Sequence, residues 1–113
     1  MQKHASLVFA QIIKLASEEY MGTILTKYGV SVIESIRPLL ISFDIEADKQ
    51  DIICGLETIQ KILDYFEQKE IGLPDYVGEE ICQSVQDYTL FDVAHIKSLS
   101  QEILDVVSRL VSI

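Results

Sequence analysis

The residue types in this chain that could perform chemistry are a run of acids, two histidines and two cysteines. Four acids alternate in the segment 44–51, DIEADKQD, like the opening of a calcium-binding loop. An EF-hand loop requires glycine at its sixth position and glutamate at its twelfth, which here are Lys49 and Gly55. We therefore expect a solvated acidic loop in which Asp48 caps the following helix.

The histidines and cysteines give no sign of a metal site or a nucleophile. His4 and His95 have no second histidine or carboxylate at ligand spacing, and we expect a partly exposed imidazole at His95. Cys54 and Cys82 share no segment with a histidine that could activate them. We expect two reduced structural thiols, no metal and no cofactor. Reduced thiols favour an intracellular protein, cytoplasmic or nuclear.

Two further motifs that could support catalysis are also missing. Glu79 and Glu80 are adjacent on a predicted helix, so their side chains diverge by about 100° instead of forming a carboxylate pair. Gly72 and Gly78 are not followed by the lysine of a phosphate-binding loop. We therefore expect a protein that is not an enzyme.

A second concentration of acids spans the end of one predicted helix and the start of the next. The candidate partner-binding residues are Asp64, Glu67, Glu70, Asp75, Tyr76, Glu79 and Glu80. Like Tyr76, Tyr65 is an interface candidate, because tyrosine offers apolar area together with a hydroxyl group. Alternatively, both tyrosines fill gaps between packed helices. Acids at the end of a helix oppose its negative pole, a mild cost that is compatible with a functional surface or with simple surface tolerance.

The net charge of −9 is distributed unevenly. Residues 1–40 carry a balance of +1, whereas residues 41–113 carry −10. This negative field argues against nucleic-acid binding and favours a basic protein partner, although acidic helices can also serve solubility alone. No segment is apolar for long enough to span a bilayer, so we expect no membrane association.

The elements that must position these residues are predicted to be helices throughout, in one domain covering residues 1–113. Apolar residues recur at steps of three and four, most clearly at Ile52, Leu56, Ile59, Leu63 and Phe66. The first predicted helix is 3–20, followed by a short helical turn closed by Gly29 and a helix over 30–42 with a break at Pro38. The next helix runs from Asp48 into the segment QKEIGLP. The last two helices are 74–88 and one that starts at Asp92.

The chain also matches itself at a shift of 48 or 49 residues. A shift of 48 places the segment FDI at 43–45 on FDV at 91–93, and a shift of 49 places Gly29 on Gly78. Each unit would be a shorter helix, a loop and a longer helix. A unit of 40 to 50 residues has the size of armadillo and HEAT repeats, which stack to bury faces that no unit buries alone.

The segments KYGVSVIESIRPLLISF and DKQDIICGLETIQKIL resemble an armadillo repeat, most closely the last repeats of the importin-α family. The resemblance rests on Gly29 and on the apolar spacing, and covers roughly residues 5–112. It implies a stacked helical adaptor that offers acidic helices to protein partners. The cargo-binding ladder of that family has the pattern W-x-x-x-N, and this chain contains neither tryptophan nor asparagine. The resemblance therefore does not imply binding of basic cargo through that ladder.

Together these features predict an all-α protein of five to six helices in an armadillo/HEAT-like stack, or alternatively a compact helical bundle. The predicted function is a non-enzymatic protein-binding module that uses the acidic surface at 64–80 and the loop at 44–51. An alternative is a small acidic inhibitor or immunity protein that blocks a basic enzyme. A third is a homodimer, since the mean hydropathy of +0.25 indicates apolar surface in excess.

Overall fold

The computed structural model describes residues 2–40, 45–90 and 93–111, and nearly all of these residues are helical. The α-helices are α1 (Gln2–Leu15), α2 (Glu18–Ile36), α3 (Ile45–Gln68), α4 (Asp75–Val85) and α5 (Ala94–Val111), and 3₁₀ helices span Arg37–Leu40 and Gln86–Leu90. No strand occurs within these ranges, so the all-α prediction is confirmed.

The predicted first helix, 3–20, is in fact divided. α1 ends at Leu15, and Ser17 adopts extended backbone angles and accepts a hydrogen bond from the Tyr20 N–H at 3.2 Å, which caps the start of α2. Lys61 of α3 binds the other side of the break, since its ammonium donates to the carbonyls of Ile13, Lys14 and Ala16, at and just after the end of α1. The continuous helix was therefore a wrong prediction, because the break depends on a long-range contact as well as on a local cap.

The predicted break at Gly29 is present as a kink. α2 consists of two helical segments joined at Tyr28, one residue before Gly29, where the backbone angles are not helical (φ −127°, ψ 20°). A Cβ added to Gly29 would lie 2.4 Å from Cζ of the buried Phe66 ring. The missing side chain thus allows α2 to approach α3 closely.

α3 begins at Ile45, three residues before the predicted cap at Asp48. The segment expected to form an acidic loop is therefore helical from residue 45 onward, and the loop prediction was wrong for 45–51. The predicted apolar stripe of α3 is confirmed: Ile52, Leu56, Ile59 and Leu63 are fully buried and Phe66 nearly so. Burial of each such side chain contributes about 1.5–3 kcal/mol to the stability of this packing.

The predicted breaks at Pro38 and Pro74 are confirmed, whereas α4 ends earlier than predicted. α2 gives way to the 3₁₀ helix at Arg37, beside Pro38, and α4 begins directly after Pro74. α4 ends at Val85 instead of reaching Tyr88, which lies in the second 3₁₀ helix. The last helix begins at Ala94, and the predicted cap at Asp92 lies outside the described residues.

α3 is the central helix of the packing. It contacts α1, α2 and the 3₁₀ helix Arg37–Leu40, and it packs most extensively against α5. α4 packs on α5 and on the second 3₁₀ helix. α5 buries Ile96, Ile103, Val107 and Leu110 in this core. The grooves that flank α5 are therefore formed by α3 on one side and by α4 on the other.

Candidate protein-binding surface

The seven predicted partner-binding residues fall at the end of α3, in the turn that follows and on α4. The structure does not gather them into one patch. Two form ion pairs within the chain, one lines a groove between α3 and α5, two line a groove between α4 and α5, and two stand apart on the surface.

Glu67 and Glu80 are the two acids in ion pairs. Arg109 of α5 donates to Glu67 from both Nε (2.5 Å) and Nη2 (3.3 Å), and this contact holds the pKa of Glu67 below its ordinary value. Arg37 donates from Nη1 to Glu80 at 3.0 Å and from Nε to the Ser84 hydroxyl at 3.2 Å. Both acids tie helices together, so less of their charge is available to a partner.

Asp64 lies in the α3/α5 groove, which has a volume of about 320 Å³. Glu102, Asp105 and Arg109 of α5 line it as well. The pKa of Asp64 is raised, first by partial burial and then by the charges of Glu67 and Glu102, with only Arg109 opposing the shift. The shift therefore reflects loss of solvent first and the proximity of like charges second.

Glu102 does have one polar partner, since the Gln60 side-chain amide donates to its carboxylate across the groove. An amide neutralises no charge. The described residues that line the α3/α5 groove therefore comprise three carboxylates, Asp64, Glu102 and Asp105, and one cation, Arg109, which is already paired with Glu67. This arrangement favours a bound cation.

Asp75 and Glu79 line the second groove, between α4 and α5, with a volume of about 580 Å³. Both are exposed, and neither forms an ion pair with another described residue. The remainder of the lining is largely apolar and includes Leu104 and Cys82. Burial, followed by the charge of Glu79, raises the pKa of the Cys82 thiol, so this cysteine behaves as an apolar group.

Glu70 and Tyr76 are the two residues that stand apart. Glu70 has a left-handed backbone (φ 57°), and the Ile71 N–H donates to the Phe66 carbonyl at 2.8 Å in the arrangement that usually places glycine at this position. Tyr76 is 56% exposed. Tyr65, in contrast, is buried and fills the core, so it is not available as an interface residue.

Glu102 and Asp105 are functional candidates that sequence reasoning missed. They lie three residues apart, so they share the polar side of α5. On α3 the polar residues Gln60, Asp64 and Glu67 likewise recur at steps of four and three. This periodicity was the available signal. It did not reveal which edges of the two helices meet, and that contact creates the groove.

A further polar contact joins α3 to α1 and α5. Glu57 accepts from Lys14 Nζ at 2.9 Å and lies 3.5 Å from His95 Nε2, and these contacts, that with Lys14 first, hold the pKa of Glu57 below its ordinary value. The His95 side chain is 56% exposed. Across the residues that the structure describes, no three histidine, cysteine or acidic side chains are grouped so that they could hold a metal ion.

No family model, curated protein or solved structure matches the chain. The structure therefore defines the class only as an all-helical protein, and its function must be argued from its own surface. Within the described residues, none of the helices is both long and apolar enough to cross a bilayer.

Proposed function

We propose that this chain is a non-enzymatic protein-binding module, a short armadillo/HEAT-like stack of helices that holds a basic segment of a partner in the α3/α5 groove. The observation that carries the proposal is the lining of this groove, in which three carboxylates, Asp64, Glu102 and Asp105, accompany one cation, Arg109; the raised pKa of Asp64 agrees with it. A lysine or arginine placed beside Asp64 would relieve this unfavourable environment.

The order of the elements supports the stacked arrangement. A shift of 49 residues carries the end of α2 (Ile36) to the end of α4 (Val85), and the start of α3 (Ile45) to the start of α5 (Ala94). Both helix pairs are joined through a 3₁₀ helix. The segments FDI and FDV that began the match lie largely outside the described residues, so the support comes from these boundaries.

The two glycines matched at this shift also make similar contacts. A Cβ on Gly29 would clash with Phe66 at the end of α3, and a Cβ on Gly78 would lie 2.7 Å from Val111 Cγ2 at the end of α5. Each glycine lets a shorter helix approach the longer helix that follows it. The glycines recur at 49 residues and their partners, Phe66 and Val111, at 45, so the contacts are similar in kind, as expected of helical repeats, but not in the same register.

The charges in the groove define the chemistry of the partner. A single exposed ion pair contributes only about 0.2–1 kcal/mol, so one lysine would not hold a partner. Three carboxylates at Asp64, Glu102 and Asp105 favour a segment with several basic side chains. Binding through such contacts weakens as salt rises.

A peptide-display selection against the purified chain, followed by fluorescence anisotropy on the enriched peptides, tests the proposal. The groove variant is Asp64→Asn with Glu102→Gln and Asp105→Asn. The matched control replaces three exposed acids elsewhere, Glu19→Gln, Glu34→Gln and Asp87→Asn, and changes the net charge equally.

We expect the selection to enrich peptides rich in lysine and arginine. The groove variant should bind them at least about tenfold more weakly, equivalent to 1.4 kcal/mol, and the control variant much less so. Equal losses in both variants would show that only net charge matters. A selection that yields no basic peptide, while a folded basic enzyme binds and is blocked, would instead favour the inhibitor function.

A further inference from the structure

A ridge of exposed apolar side chains runs along α1. Val8, Ile12 and Leu15 are 46%, 48% and 87% exposed, and their spacing of four and three residues places them on one side of the helix. Ala10 and Ile13, on another side of the helix, are fully buried in the core. α1 is therefore apolar both toward the core and toward solvent, which a helix at a free surface does not require.

The α4/α5 groove is formed by other helices than the ridge, and its lining includes no described residue of α1. Its α5 side is lined by Leu104, Val107 and Val111. These residues span seven positions of a helix, about 10 Å, as do the residues of the ridge from Val8 to Leu15. The ridge and the groove therefore match in length and in apolar character.

We propose that a second copy of this chain docks head to tail, with the α1 ridge of one copy seated in the α4/α5 groove of the next. The apolar residues of the ridge would then pack between those of α5, as knobs pack into holes between adjacent helices. This inference concerns a different groove from the one proposed to bind a basic segment, and either can fail without the other.

Charge favours a second copy in this orientation. Residues 1–40, which include the ridge, carry a balance of +1, whereas the rest of the chain carries −10. A two-fold contact between two α4/α5 grooves would bring Asp75 and Glu79 against the same acids of the second copy, which like-charge repulsion disfavours. A head-to-tail contact instead places the acidic rim beside the least acidic part of the chain.

A head-to-tail contact does not close on itself unless the rotation between copies forms a ring. Each bound copy leaves one ridge and one groove free. The size of the assembly should therefore grow with concentration beyond a dimer. A two-fold contact of ridge on ridge would stop at the dimer.

Two variants test this geometry by sedimentation velocity over a range of concentrations. Ile12→Glu disrupts the ridge and leaves the groove intact. Leu104→Glu disrupts the groove and leaves the ridge intact. Gln83→Trp, at an exposed position on the groove lining, fills the same groove without altering the core, in case Leu104→Glu does not fold. Ser31→Glu on α2 adds the same charge at an exposed position away from both surfaces.

We expect the wild-type chain and Ser31→Glu to form assemblies larger than a dimer as concentration rises. Each interface variant alone should associate at least about tenfold more weakly. An equimolar mixture of Ile12→Glu with a groove variant should form a one-to-one heterodimer, because one intact ridge and one intact groove remain.

Two results would overturn the inference. The first is a wild-type chain that stays monomeric at every concentration. The second is a mixture that forms no heterodimer while the groove variant alone still dimerises, which would establish the ridge-on-ridge contact instead.

Discussion

The helix pairs α2/α3 and α4/α5 correspond at a shift of 49 residues but have different surroundings. In the first pair, Gly29 lies against Phe66, which is almost fully buried although both residues line a groove of about 280 Å³, and α3 packs against both α1 and α5. In the second pair, Gly78 lies against Val111, which is only partly buried and borders an open groove. Similar local packing is therefore part of the core in one place and part of a surface in the other.

The two glycines give the largest expected difference between the pairs. Overpacking a core costs about 1–3 kcal/mol, while alanine regains about 1 kcal/mol of helix propensity relative to glycine. Because the Phe66 ring is almost fully buried, Gly29→Ala should lower the free energy of unfolding by about 2 kcal/mol. Val111 can rotate toward the groove, so Gly78→Ala should remain within about 1 kcal/mol of the wild type.

Urea denaturation of both variants measures this difference. Equal losses would show that the two glycines are equally confined, and the contrast between a covered and an open pair would be wrong.

These glycines also mark the limit of what the sequence could predict. The stripe of α3 and the breaks near Pro38 and Pro74 were predictable, because periodicity and proline geometry act locally. The break beside Gly29 was also predictable and appears as the kink at Tyr28, but the close contact of Gly29 with Phe66 was not, since Phe66 lies far away in the chain. The candidate site has the same limit: Asp64 was identified, but the acids of α5 that share its groove depend on which helix edges meet.

Lys61 and Arg109 occupy positions that correspond at a shift of 48 and offer a second contrast. The Lys61 ammonium donates to the carbonyls of Ile13 (2.9 Å), Lys14 (2.6 Å) and Ala16 (3.2 Å), at and just beyond the end of α1; the Ile13 carbonyl also accepts from the Ala16 N–H. Lys61→Met should therefore lower the free energy of unfolding by about 1–2 kcal/mol. Arg109→Met removes only an exposed pair with Glu67 and should cost less.

Thermal unfolding followed by circular dichroism compares the two substitutions directly. A larger loss for Arg109→Met would mean that the α3/α5 ion pair, rather than the cap on α1, holds the long helices together.

Asp64 and Glu57, two carboxyls of α3, should have opposite effects on how stability depends on pH. These are the smallest effects that we expect. The pKa of Asp64 is raised in the folded protein, so the stability it contributes is present below the unfolded pKa and is lost as pH rises through the folded pKa. Asp64→Asn should stabilise the protein at neutral pH. The pKa of Glu57 is lowered, so its contribution is present above the unfolded pKa and is lost as pH falls. Glu57→Gln should destabilise the protein at neutral pH.

Urea midpoints measured at neutral pH and at about pH 3.5, below the ordinary carboxyl pKa values, test the stabilisation expected for Asp64→Asn and the destabilisation expected for Glu57→Gln. Each difference from the wild type should shrink at the lower pH. A loss of stability in Asp64→Asn at neutral pH would contradict the uncompensated negative charge assigned to the α3/α5 groove.

The claim that most depends on this charge is that the α3/α5 groove binds a basic segment. Titration of the ¹⁵N-labelled chain with the tightest basic peptide from the selection, followed by amide chemical shifts, locates the contact residue by residue. The account predicts the largest shifts at residues 60–67 and 102–109, absent in the Asp64→Asn, Glu102→Gln, Asp105→Asn variant. Shifts of equal size spread over the acidic surface, or centred on α1 and α2, would contradict it.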